Sequence, residues 1–228
     1  MKRLILIVLS FVSIDLFGQN KTYDSLPNMP EHYVKRYELF KKDSVVEGKI
    51  MMVGNSITEG GNWKKLLNDS TIINRGISGD VTFGVLNRME DIVKRKPSKV
   101  FLLIGINDLS RNTPDEVILE NLFTIISKIK SGSPTTEIFV QSILPTNDSF
   151  KNLMKEFRGK DPHITLINTQ LKRYADRMKY NFIDLYKEFL GKDGNMDAKY
   201  VTDGLHLNAL GYQHWVSILR AESKTGMK

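Results

Sequence analysis

Residues 50–56 read Ile-Met-Met-Val-Gly-Asn-Ser, an apolar run that stops at a glycine and is followed closely by a serine. Consecutive apolar residues without alternation predict a short buried strand, and Gly54 predicts the turn that ends it. In an open α/β sheet, ligands bind just outside the carboxyl ends of the strands. Ser56 is therefore placed for chemistry, although a serine that only caps the next helix would give the same pattern.

The rest of the chain alternates similar apolar runs with helical patterns. Residues 100–104 are all apolar, as expected for a strand that is covered on both faces. We predict strands at 50–53, 71–74, 100–104, 137–143 and 181–185, and helices at about 31–41, 62–67, 81–94, 113–132, 149–179 (interrupted near 159–162) and 209–220. Thr113 is predicted to cap the fourth of these helices. Alternating strands and helices predict an α/β fold, a three-layer α/β/α sandwich of the flavodoxin type with a five-stranded, mainly parallel sheet.

Length and composition are those of one soluble domain. The chain has 228 residues, of which 41% are hydrophobic and 26% charged. The net charge of +7 comes from scattered Lys and Arg residues beside acidic ones, so we predict no nucleic-acid partner. Nothing in the sequence specifies an oligomeric state. The chain contains no cysteine, so an oxidising compartment would impose no disulfide requirement.

The N-terminus predicts export. Lys2 and Arg3 precede an apolar run over residues 4–14, which is typical of a signal peptide and short for a membrane span. We predict a signal peptide at 1–18, a polar lead-in segment at 19–48 and the α/β domain at 49–228. The mature protein is predicted to be periplasmic or secreted, without stable membrane insertion.

Polar or glycine residues that follow predicted strands provide a set of groups suited to acyl transfer. This chemistry needs a nucleophile, a base, a group that orients the base, and donors for the developing oxyanion. Ser56 is the candidate nucleophile, and Asp203 precedes His206 by three residues in a glycine-containing loop. Asp203 can then bind one imidazole nitrogen while the other faces the serine, which is the triad arrangement. Asn107 as a loop-forming residue and Asp203 as a simple turn residue remain alternative interpretations.

Other residues of potential chemical interest are given structural roles. The remaining histidines have no acidic residue at a spacing typical of a catalytic pair, so surface or packing roles are predicted for them. A solvated role is predicted for the arginines closest in sequence to the proposed site. Tryptophans are predicted to be core residues. These residues are His32, His163 and His214; Arg75, Arg88 and Arg111; and Trp63 and Trp215. No metal site and no cofactor are predicted, because metal-ligand spacing and a phosphate-binding glycine loop are both absent from the sequence.

Four segments resemble the conserved blocks of the SGNH (GDSL-type) hydrolase family, and the resemblance spans roughly residues 49–219. These segments are Gly-Asn-Ser-Ile-Thr at 54–58, Arg-Gly-Ile-Ser-Gly-Asp at 75–80, Gly-Ile-Asn-Asp at 105–108 and Asp-Gly-Leu-His-Leu at 203–207. The resemblance implies Ser56 as nucleophile, and Asp203 and His206 as acid and base. It implies an oxyanion hole formed by the backbone of Ser56 and Gly79 and by the side chain of Asn107. The first block usually has Asp where this chain has Asn55, a position outside the family's mechanism.

The resemblance further implies the substrate class. The expected activity is hydrolysis of short-chain, acetyl esters, with O-acetyl groups on carbohydrates such as sialic acid or polysaccharide as the favoured substrates. A lysophospholipase or a lipid esterase similar to platelet-activating-factor acetylhydrolase is the alternative. A non-catalytic carbohydrate-binding protein on the same fold is a further alternative, which the complete set of triad residues disfavours.

Overall fold

The computed structural model describes residues 29–222, in which five strands form one sheet with the order β2-β1-β3-β4-β5. Every neighbouring pair of strands is parallel. The strands are β1 (Ile50–Gly54), β2 (Ile73–Gly76), β3 (Lys99–Leu103), β4 (Glu137–Gln141) and β5 (Asn181–Ile183). The α-helices are α1 (Glu31–Lys42), α2 (Ser56–Glu59), α3 (Trp63–Leu66), α4 (Thr82–Asn87), α5 (Met89–Val93), α6 (Ile106–Ser110), α7 (Asp115–Gly132), α8 (Asp161–Met178), α9 (Leu185–Phe189) and α10 (Ala209–Glu222), with short 3₁₀ helices at Lys155–Phe157 and Ala198–Tyr200. The predicted α/β class with a five-stranded parallel sheet is confirmed. The predicted signal peptide lies outside the described residues.

The strand order puts helices on both faces of the sheet. The chain moves from β1 to β2 in one direction across the sheet, and then from β2 to β3, β4 and β5 in the opposite direction. Because crossovers between parallel strands are right-handed, the two directions place their helices on opposite faces. α4, α5 and α8 all contact α7 on one face, whereas α10 contacts α3 on the other. The reversal makes the carboxyl ends of β1 and β3 the topological switch point.

The core lies on both faces of the sheet, which explains the apolar strands. Phe101 and Phe139 stack on neighbouring strands with ring centroids 4.6 Å apart. Trp63 and Trp215 meet edge to face at 4.7 Å and are fully buried, so their predicted core role is confirmed.

Within residues 29–222, no helix is both long and apolar enough to cross a membrane.

Several element boundaries differ from the predictions. The helix predicted over 81–94 is divided at Arg88, whose φ of −112° and ψ of 21° are not helical. Thr113 does not cap α7, because Pro114 takes the N-cap position. The helical pattern predicted from 149 becomes regular only at Asp161, because Arg158 holds the preceding segment in turns by donating to several of its backbone carbonyls. Strand β2 begins and ends two residues later than predicted, and β4 ends at residue 141.

The lead-in segment contains a helix that packs on the domain. In α1, Tyr33 and Phe40 are buried and form a small apolar cluster with Ile77, which follows β2. The Tyr33 hydroxyl donates to the backbone carbonyl of Gly84 at 2.7 Å. Helix α1 therefore lies against α4 and the loop that precedes it.

Candidate active site

Ser56 is held in a tight turn between β1 and α2. Asn55 is the N-cap of α2, and its Oδ1 accepts a hydrogen bond from the Ile57 N–H at 3.0 Å. Ser56 is the first helical residue, and the backbone N–H groups of a first helical turn have no intrahelical acceptor. A Cβ at Gly54 would lie 2.3 Å from the Leu103 carbonyl oxygen, so only glycine allows β1 to end this close to β3. The turn leaves the Ser56 hydroxyl and N–H on the same edge of the sheet.

His206 connects Ser56 to Asp203 by hydrogen bonds. The Ser56 Oγ lies 3.0 Å from His206 Nε2, and His206 Nδ1 lies 2.7 Å from Asp203 Oδ2. The other carboxylate oxygen of Asp203 accepts from the backbone N–H groups of Leu205 and His206, at 3.0 and 2.7 Å. The side chains of Asp203 and His206 are each 38% exposed, so the site is open to solvent. The backbone of the loop thus holds the Asp203 carboxylate in the position from which the carboxylate orients the His206 imidazole.

The charge state of Asp203 suits this orientation. Partial burial by itself would raise the pKa of Asp203, but the hydrogen bonds from His206 and Leu205 outweigh it and lower the pKa below its usual value. The ionised carboxylate accepts from Nδ1–H, which leaves the Nε2 lone pair directed toward the serine.

Gly79 and Asn107 are brought together through Asp80. The Asn107 side chain is buried, and its Nδ2 donates to the Asp80 carbonyl oxygen at 2.8 Å. Gly79 has a φ of +76° in a turn where a Cβ would meet no atom within 4 Å, so glycine is required here for its backbone angle. The register pairs Gly54 with Gly76 on β2 and with Leu103 on β3, so the segments after these strands share one edge with Ser56.

Two buried polar networks stabilise this edge, and the sequence interpretation missed both. Arg88 is completely buried and binds Asp80 Oδ2 through Nη2 at 2.9 Å and Nε at 3.2 Å; its Nη2 also donates to the Gly54 carbonyl at 3.3 Å. The Asp108 carboxylate accepts from the Thr82 hydroxyl at 2.6 Å and from the Thr82 N–H. Burial raises the pKa of Asp80, which the Arg88 charge opposes, and raises that of Asp108 to about 7 against the effect of the Thr82 hydrogen bonds.

The solvated role predicted for two of the arginines is wrong. Arg75 and Arg88 are buried, and Arg75 pairs through Nε with the buried Asp91 at 2.8 Å. Arg111 is exposed as predicted, but its Nη2 donates to the Gly79 carbonyl at 2.9 Å. In the helical pattern predicted over 81–94, Arg88 comes three residues after the buried Val85 and so falls on the same predicted face. A charged residue on an apolar face was the signal for a buried ion pair.

Two histidines outside the site have acidic partners that are distant in sequence. His32 Nε2 lies 3.1 Å from Glu59, and His163 Nδ1 lies 2.8 Å from Asp115. His214 stacks on Tyr200 with ring centroids 4.5 Å apart. Residues 29–222 contain no group of three or more His, Cys, Asp or Glu side chains arranged to hold a metal ion.

Comparison with known proteins identifies relatives across most of the chain. The model of the GDSL-like lipase/acylhydrolase family matches residues 52–214. Platelet-activating factor acetylhydrolase IB subunit alpha2 of Homo sapiens is 27% identical over 191 residues, covering 81% of this chain and 78% of that protein. The structure of a candidate platelet activating factor from Streptococcus pneumonia is 32% identical with a TM-score of 0.72, covering 83% of this chain and 89% of that one. The acetyl xylan esterase AlAXEase shares the fold, with a TM-score of 0.62, 20% identity, and coverage of 76% and 100%.

Proposed function

This chain belongs to the GDSL-like lipase/acylhydrolase family of ester hydrolases, and we propose that it is a serine esterase acting on acetyl esters. The observation that carries the proposal is the continuous hydrogen-bonded series Ser56 Oγ–His206 Nε2 and His206 Nδ1–Asp203 Oδ2, at 3.0 and 2.7 Å. These are the contacts that a serine nucleophile needs to lose its proton as it attacks.

In the proposed mechanism, Ser56 Oγ attacks the ester carbonyl carbon while His206 Nε2 accepts the hydroxyl proton. The oxyanion is stabilised by the N–H groups of Ser56 and Gly79 and by the Asn107 amide. Collapse of the tetrahedral intermediate breaks the bond to the alkoxy group, which takes the proton from His206. A water molecule then attacks the acyl-enzyme carbonyl and gives a proton to His206. Collapse of this second tetrahedral intermediate breaks the bond between Ser56 Oγ and the acyl carbon, and Ser56 Oγ takes the proton back from His206. The carboxylic acid leaves and ionises to the carboxylate.

Asn107 has a second function in this scheme. One N–H of its Nδ2 is engaged by the Asp80 carbonyl, which leaves the other available for the oxyanion. The same bond fixes the amide relative to the Gly79–Asp80 backbone. The donors are thus held in place before substrate binds, which is the condition under which they stabilise a transition state most.

For the alcohol part of the ester, we propose O-acetyl groups on carbohydrates. The half-exposed Asp203 and His206 leave room for a large alcohol part of the ester outside the site. An acetylated lipid is the second candidate, favoured by the relatives named platelet-activating factor acetylhydrolase at 25–27% identity. Both candidates share the acetyl group. The N-terminal sequence supports export, which would bring the enzyme to extracellular glycans.

The proposal is tested with Ser56→Ala, and with Ser127→Ala, at an exposed position on α7, as the matched control. Hydrolysis of acetyl, butyryl and octanoyl esters is measured for each purified protein. We expect Ser56→Ala to lose several orders of magnitude in kcat and the control to match the wild type. Acetyl hydrolysis by Ser56→Ala at near wild-type rate would overturn the mechanism.

The alcohol part of the natural ester is identified by measuring acetate release from acetylated glycans and from an acetylated ether phospholipid under the same conditions. Glycan turnover without lipid turnover supports the first candidate. The reverse result assigns the enzyme to the lipid esterases, and octanoyl preference would refute the acetyl assignment itself. Fractionation of cells that express the full chain tests export, for which retention in the cytoplasm would be the contrary result.

A further inference from the structure

Glu59 connects the nucleophile helix to the loop that carries Gly79. It is the last residue of α2, and its side chain is 19% exposed. Its Oε2 accepts from the Ser78 N–H at 2.5 Å and from the Ser78 hydroxyl at 2.7 Å. A single carboxylate oxygen therefore fixes both the backbone and the side chain of the residue that precedes Gly79.

The orientation of the Gly79 N–H depends on this anchor. The N–H belongs to the peptide plane between Ser78 and Gly79, so fixing Ser78 restricts the rotation of that plane. On the far side of Gly79, the Asp80 N–H closes the turn by donating to the Ile77 carbonyl at 3.0 Å, and Arg111 Nη2 donates to the Gly79 carbonyl at 2.9 Å. Glu59 supplies the restraint on the Ser78 side of the peptide. A displacement of about 1 Å in a catalytic group costs on the order of 10² in rate. The anchoring of Ser78 is thus directly relevant to oxyanion stabilisation.

Helix α1 binds the same carboxylate from the outside. His32 Nε2 lies 3.1 Å from Glu59 Oε2, and Arg36 Nε lies 3.2 Å from Oε1. Arg36 Nε also lies 3.3 Å from the Gly76 carbonyl, which connects α1 to the end of β2. Burial would raise the pKa of Glu59, but the hydrogen bonds from Ser78 and His32 and the charge of Arg36 together lower it. The carboxylate is therefore held ionised, as the acceptor role requires.

We infer that Glu59 is a positioning residue for the oxyanion hole, which orients the Ser78–Gly79 peptide, and that α1 completes the site by holding Glu59. The inference rests on the proposed serine esterase mechanism. Glu59 acts through Ser78 and takes no part in proton transfer. Its removal should therefore lower kcat and leave KM nearly unchanged, since the oxyanion develops only after substrate has bound.

The experiment compares Glu59→Ala and Glu59→Gln with the control Glu38→Ala, which removes an exposed α1 glutamate paired with Lys41. Acetyl ester hydrolysis gives kcat and KM, and thermal unfolding gives Tm for each protein. We expect Glu59→Ala to lower kcat about 10- to 100-fold with KM within threefold. Glu59→Gln retains a carbonyl acceptor for Ser78 and should recover most of kcat. The control should match the wild type.

A kcat of Glu59→Ala within threefold of the wild type would overturn the inference, as would equal losses in Glu59→Ala and Glu59→Gln. If Glu59→Ala does not fold, Ser78→Ala replaces it, because that variant removes the hydroxyl contact at Oε2 and leaves the ion pairs to α1 intact. Ser78→Ala should lower kcat with KM unchanged, and unaltered kcat would count against the anchor. Ser56→Ala in the same assay distinguishes failure of the esterase mechanism from failure of the positioning role. Activity in Ser56→Ala refutes the esterase mechanism. An inactive Ser56→Ala beside fully active Glu59 variants refutes only the positioning role.

Discussion

Replacing Arg88 by methionine should strongly destabilise the protein. Arg88 and Asp80 are each 1% exposed at their side chains, and the guanidinium makes two contacts to one Asp80 oxygen, at 2.9 and 3.2 Å. The methionine retains much of the buried stem but leaves the Asp80 carboxylate without its counter-ion. Breaking a buried pair in this way costs about 3–5 kcal/mol. For a domain of this size, 1 kcal/mol corresponds to about 2–4 °C in Tm, so the expected decrease is roughly 6–20 °C.

The assay is urea unfolding followed by circular dichroism, with thermal unfolding alongside. Arg173→Met, at an exposed position on α8, is the matched control and should change the free energy of unfolding by less than about 0.5 kcal/mol. The double variant Asp80→Asn/Arg88→Met removes both charges and should be more stable than Arg88→Met alone. A loss below about 1 kcal/mol in Arg88→Met, or a double variant no more stable than the single one, would refute this reasoning.

Three further predictions concern the same edge of the sheet. Asn107→Ala should lower kcat on an acetyl ester by about 10²–10³ with a much smaller change in KM; a tenfold or smaller decrease would show that Asn107 only shapes its loop. Asn55→Asp should retain activity, because the carboxylate oxygen can still accept from the Ile57 N–H and the amide Nδ2 that it replaces is buried without a partner among residues 29–222; a folded but inactive variant would show that the amide is needed. Burial holds the pKa of Asp108 at about 7 instead of 3.8, so the folded state binds this proton more tightly than the unfolded state, and the contribution of Asp108 to stability falls as pH rises from about 4 to 7. Between pH 5 and pH 8 the wild type should therefore lose on the order of 2 kcal/mol relative to Asp108→Asn, measured by urea unfolding, and identical pH dependence in the two proteins would contradict the burial argument.

Local sequence patterns predicted the type and order of most elements. Uninterrupted apolar runs such as residues 100–104 are typical of strands covered on both faces, because neither face of such a strand meets water. The same runs end at Gly54 and Gly105, so the residues that follow were placed at the edge where the strands end. Asp203 and His206 are three residues apart, a spacing that a single loop can satisfy. The hydrogen bonds among Ser56, His206 and Asp203 lie where this local reasoning located them, and their catalytic roles remain predictions.

The burial of polar groups and the identity of their partners depend on contacts between segments that are far apart in the sequence. Arg88 lies at the break between α4 and α5, and its guanidinium is held by Asp80 and by the Gly54 carbonyl, a partner 34 residues away. Glu59 meets Ser78 and His32 across separations of 19 and 27 residues. Periodicity reports the face on which a side chain lies, but the partner on that face depends on the order of the strands and the packing of α1. Long-range pairing of charges is therefore a property of the assembled fold, and local sequence patterns leave it open.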